Sequence, residues 1–168
     1  MVFFILPAID TDMGWHLRYG EHIVQKHSII RQNITGFFMP EFNWIHAYSL
    51  YQLIVYLLFS NLGFWAITIA GSLITAACFL PLIFSQKVRL NLIVLSLPFL
   101  IFISQPVVGL GLRSQIISWL FFSVMLKMVY DKTITKTSRY FLIPLLFLFW
   151  ANLHGGFIFG LIVLVIYT

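Results

Sequence analysis

Apolar residues in this chain come in long runs, separated by short polar connections. Residues 64–84, FWAITIAGSLITAACFLPLIF, hold no charge at all, and crossing a bilayer core takes roughly 20 apolar residues of helix. Further apolar runs cover residues 92–104, 116–130, 140–153 and 157–168, and a shorter one covers 45–59. The in/out alternation of barrel strands is missing, and lipid cannot satisfy an open backbone, so each run predicts a helix. The predicted fold class is all-α, a polytopic transmembrane helical bundle.

Ahead of the first long run the period changes. Within residues 10–27, Met13, Leu17, Gly20 and Val24 share one face at helical spacing, while Arg18, Glu21, His22 and Gln25 lie elsewhere. That pattern predicts an amphipathic helix lying along a membrane surface. A polar, aromatic-containing loop follows over residues 28–44, broken by Gly36 and Pro40. The run 45–59 is short for a span and carries His46, Tyr48, Tyr51, Gln52 and Tyr56, which favours an interfacial helix. The expected division is the end of a first membrane helix at 1–9, an external loop with interfacial helices at 10–63, and membrane helices at 64–168. Together these form a single transmembrane domain, expected to be the N-terminal half of a larger protein.

Composition strengthens this picture. Hydrophobic residues make up 61% of the chain and charged ones only 9%, and the mean hydropathy is +0.97, whereas soluble domains carry about 25% charge. The net charge of +5 is spread over short loops; it reads as a topology signal, not as a nucleic-acid patch, and the expected partner is membrane lipid. Lys87 and Arg89 form one basic loop, and Lys127, Lys132, Lys136 and Arg139 cluster around another. If both are cytoplasmic, residues 105–115 and His154 emerge on the outer side of the cell membrane. With 45–59 at the interface, every histidine, Arg113 and four of the five carboxylates share that side, leaving Asp131 inside. The lone Cys78 sits in an apolar run, where a small buried residue is the expected reading.

Scarce charge is concentrated in DTDMGWHLR, where Asp10 and Asp12 precede His16 by about a helical turn. The carboxylates fit helix capping first, and Asp12 and His16, four apart, also allow a site in which acid and imidazole share a face. An Asp-x-Asp of this kind is also similar to the metal–nucleotide sites of soluble sugar transferases, so a divalent metal stays open as a cofactor. Trp15, Trp44, Phe37, Phe38 and Phe42 are either interfacial anchors or the walls of a sugar site. His46 is either a headgroup-level residue or a site residue. Arg113 stands between apolar segments beside Gly109 and Gly111, placed either to snorkel or to turn inward onto a phosphate. WANLHGGF interrupts an apolar stretch with His154 and a glycine pair, which permits a tight turn or a close approach of backbone to ligand. No Ser/His/Asp triad, phosphate loop or Cys/His metal cluster is visible in the sequence.

In this order, DTDMGWHLRYGEHI, NWIHAYSLYQLIVYLL, LRSQIISWLFF and WANLHGGFIFGL, the pieces resemble the N-terminal half of GT-C superfamily membrane glycosyltransferases of the protein mannosyltransferase and aminoarabinose transferase type. The resemblance implies transfer of a sugar from a polyprenyl-phosphate donor to a glycan, lipid or protein acceptor on the outer face. It implies that Asp10 and Asp12 act on the acceptor as general base or positioning group, with His16 beside them. It matches Arg113 to a recurrent arginine before a helix and His154 to an external turn; with His46, these are the expected substrate-binding residues. A transporter or a non-catalytic membrane protein is the alternative. A transporter places ionisable residues deep within helices along a path, and the long runs here lack them.

Overall fold

The computed structural model describes residues 12–31, 43, 48–83, 112–131 and 133–167. The regular elements among the described residues are all helices: α1 (Met13–Lys26), α2 (Ser49–Leu62), α3 (Phe64–Ile83), α4 (Ser114–Tyr130), α5 (Lys136–Leu153) and α6 (Phe157–Tyr167). The all-α expectation therefore holds, and each described helix coincides within a few residues with a run marked out by the hydropathy pattern. The run 92–104 and the loop 105–111 lie outside the described residues.

Local chemistry explains where the helices stop. α1 ends at His27, which takes a left-handed conformation (φ 52°) and donates its amide to the Ile23 carbonyl. α2 ends at Gly63, whose φ of +74° is open to glycine and strained for residues bearing a Cβ. Before α5, Thr135 is the N-cap, its hydroxyl accepting the amide of Ser138 at 3.2 Å. The α4–α5 connection is tied by Asp131, whose Oδ1 accepts both the amide and the hydroxyl of Thr133, and by Arg139, which donates to the Asp131 carbonyl at 2.6 Å. Hydrogen bonds from the Thr133 hydroxyl, then its amide, hold the Asp131 carboxyl below the usual carboxylate range.

Two apolar clusters hold the helices together. Met13, Tyr51, Val55, Ile67, Leu112, Ile117 and Leu153 join α1 through α5, and Met125, Val129, Leu146 and Trp150 close the α4–α5 hairpin. α1 crosses α2 at Gly20: a Cβ there would run into the Gln52 carbonyl and Tyr56 Cβ. On the outer side of α1, Arg18 pairs with Glu21 at 2.6 Å and Gln25 bonds the same carboxylate. α1 is thus amphipathic as the sequence predicts, although its buried face includes His16 and Tyr19 beside Met13 and Gly20.

α3 is apolar on all sides, and its polar side chains are satisfied on its own backbone. Thr68, Ser72, Thr75 and Cys78 each reach the carbonyl four residues earlier. Large apolar side chains also stand uncovered, among them Trp65, Ile69 and Leu73 on α3, Phe141 and Leu148 on α5, and Phe159 and Val165 on α6. Among the described residues one helix, α3, is long and apolar enough to cross a membrane.

The helix ends carry one departure from the charge count. Cys78, in the last two turns of α3, has its Sγ 3.6 Å from the carbonyl of Ile116 in the first turn of α4. The end of α3 and the start of α4 therefore meet, whereas counting Lys and Arg put them on opposite sides. Loop charge reports where a loop prefers to sit, but carries no information on which helix ends pack together.

Candidate functional site

The starts of α1, α2 and α4 and the end of α5 converge. Tyr51 Oη, at the start of α2, donates to the carbonyl of Leu112 just before α4, at 2.7 Å. That single bond fixes Arg113 beside the entrance of α2. The start of α1 joins through its rings: His16 lies on Trp15 (centroids 3.6 Å apart, planes 33°) and meets Tyr51 edge-on at 4.7 Å and Tyr48 at 5.9 Å. Tyr48 in turn meets the ring of His154, beyond the end of α5, at 5.6 Å. His16 and His154, 138 positions apart in the chain, thus flank one tyrosine.

Beneath His154 lies a polar node whose proton directions are determined by chemistry. The Trp150 indole can only donate, and its Nε1 gives its proton to Ser118 Oγ at 2.7 Å. The Ser118 hydroxyl is then free to donate to His154 Nδ1, 2.5 Å away. The amide of Gly156 donates to the same Nδ1 at 3.0 Å. Nδ1 is therefore the acceptor nitrogen, so the proton of the neutral ring sits on Nε2. Burial pushes the His154 pKa below its ordinary value, consistent with a ring held neutral. Gly156 is required by space: a Cβ would stand 2.5 Å from Ser118 Oγ and 2.8 Å from His154 Nδ1, whereas Gly155 has open room. The glycine pair is thus asymmetric, one residue holding the node and the other only turning.

The sequence candidates fall into three groups. His16, Arg113 and His154 are brought to one end of the bundle with the start of α1. Asp12 is the N-cap of α1, but makes no side-chain capping bond and is exposed; its carbonyl accepts the His16 amide at 3.1 Å. Asp12 and His16 differ in environment, the first exposed and the second at 3% exposure. Asp10 and His46 lie outside the described residues, as do Phe37, Phe38, Phe42 and Trp44. Among the described residues no three His, Cys, Asp or Glu side chains converge to hold a metal ion.

Ser118, Trp150 and Gln52 are not among the candidates that the sequence offers for the site. Trp150 and His154 are four apart, as are Ser114 and Ser118, so one-face spacing could have flagged both pairs. Gln52 is fully buried (0% exposed), and among the described residues neither its Oε1 nor its Nε2 finds a hydrogen-bond partner, a costly arrangement for a carboxamide. It stands next to Tyr51 at the same helix entrance.

This end of the molecule offers a neutral imidazole donor, a guanidinium, a carboxylate and a wall of aromatic faces. Such a set suits a polar, ring-bearing ligand with an anionic part, with the guanidinium for the anion and the aromatics for apolar ring faces. No known protein family, curated protein sequence or solved structure matches the chain.

Proposed function

We propose that this chain belongs to a polytopic membrane glycosyltransferase that moves a sugar from a polyprenyl-phosphate donor to an acceptor on the outer face of the cell membrane. The observation that carries the proposal is the gathering of Asp12, His16, Arg113 and His154, from three separate sequence motifs, at one end of the bundle beside Trp15, Tyr48 and Tyr51. Departure of a lipid phosphate needs cationic neighbours, and attack by an acceptor hydroxyl needs a base. Arg113 and the Nε2 proton of His154 serve the phosphate; Asp10 and Asp12 serve the hydroxyl. Membrane residence is supported by the large apolar side chains left uncovered on α3, α5 and α6, and by the backbone-satisfied hydroxyls of α3.

The test uses membranes from cells expressing the protein, supplied with a radiolabelled polyprenyl-phosphate sugar. Asp10→Asn combined with Asp12→Asn lowers transfer by a factor of about 10² or more, the usual contribution of an acid–base group. Unchanged transfer in that variant would remove the carboxylates from the mechanism. A transporter, the second reading, requires ionisable residues within the spanning helices, and α3 has none.

A further inference from the structure

A second feature lies between the C-terminal half of α1 and the middle of α2, away from the His16–Tyr48–His154 rings. Ile23 and Val24 face Leu53 and Leu57 across an open groove of about 400 Å³, walled at one end by His27, Ser28 and Ile29. Its size falls within the usual range for small-molecule sites, and its floor is apolar. Around it the surface stays apolar: Ile29 is 58% exposed and Leu62 68%.

The segment that supplies His27, Ser28 and Ile29 to the groove is basic in sequence. Residues 22–31, HIVQKHSIIR, contain Lys26, Arg31 and two histidines and no carboxylate. Glu21, the nearest acid in sequence, is already engaged by Arg18 and Gln25. Lys26 in the last turn of α1 has a bland explanation, since a cation there complements the helix dipole. Arg31 has no such explanation, because it lies beyond the helix and is exposed. The negative end of the dipole also means that an anion here must be held by side chains and not by backbone amides.

We propose that this groove binds one anionic phospholipid, with an acyl chain over Ile23, Val24, Leu53 and Leu57 and the phosphate against Lys26, His27 and Arg31. Charge complementarity selects this occupant: the apolar floor alone fits any hydrocarbon chain, and the basic residues that flank its lining in sequence alone fit any anion, whereas an anionic lipid answers both. The site would moor α1 to the membrane surface independently of sugar transfer.

The experiment purifies the chain in neutral detergent and titrates it with dioleoyl-phosphatidylglycerol or dioleoyl-phosphatidylcholine, reading bound lipid by native mass spectrometry. Phosphatidylglycerol is expected to bind at least tenfold more tightly. Lys26→Ala with Arg31→Ala removes about fivefold per cation, roughly 25-fold together, while Leu57→Trp, which fills the groove from an exposed position, weakens both lipids. Lys127→Ala with Lys136→Ala removes the same charge at the far end of α4 and α5 and leaves binding within twofold. Equal binding of the two lipids overturns the proposal, as does an equal loss in the Lys127/Lys136 pair or no loss in the Lys26/Arg31 pair.

Discussion

At the scale of single residues, Ser118 has the most to do: it accepts from Trp150 and donates to His154. Ser118→Ala leaves the indole N–H buried without a partner, a cost of about 1–3 kcal/mol. A denaturation midpoint measured in detergent should fall accordingly, and Trp150→Phe added to that variant should cost less than the two single changes summed, because the orphan donor is gone. His154 gives the node a pH dependence. Burial lowers its pKa, so the unfolded chain binds the proton more readily than the folded one. The stabilisation is complete above the ordinary imidazole value and is lost as pH falls from there towards the folded value. Protonated Nδ1 would also face two donors, from Ser118 and Gly156. Stability measured between pH 7.5 and pH 5 should therefore fall in the native chain and run flatter in His154→Asn.

At the scale of elements, the α1–α2 crossing depends on one glycine. Gly20→Ala drives a methyl into the Gln52 carbonyl and Tyr56 and should destabilise by about 1–3 kcal/mol. Gly14, in the first turn of the same helix, has nothing within 4 Å of an added Cβ, so Gly14→Ala should stabilise by about 0.5–1 kcal/mol. Thermal melts of the two variants, compared with the parent, check both signs. The contrast also shows what was legible beforehand. Period and hydropathy located α1 to α6, since both are properties of neighbouring residues. They could not show that Gly20 and not Gly14 sits at a crossing, nor that Ser118 meets Trp150, because those depend on which helices become neighbours. His154 stood out as a polar break in an apolar run; Ser118, in a helix that otherwise reads as greasy, did not.

At the scale of the whole molecule, the proposed site exists only if the starts of α1, α2 and α4 and the end of α5 face the same side. Sequence placed His16, Arg113 and His154 together by counting loop charges, and the packing brings them together through Tyr48 and the Tyr51–Leu112 bond. Cys78 near the end of α3 also meets α4 at Ile116, a neighbour relation that loop charge does not report, so sidedness needs its own measurement. The direct measurement replaces Cys78 by Ala, places single cysteines at Gly14, Gln115 and Thr137, all exposed, and labels intact cells with a membrane-impermeant maleimide. Gly14→Cys and Gln115→Cys are expected to label in intact cells and Thr137→Cys only after lysis. If Gly14→Cys and Gln115→Cys label from opposite sides, the carboxylate and the arginine are separated by the bilayer, and a single transfer site built from them is contradicted.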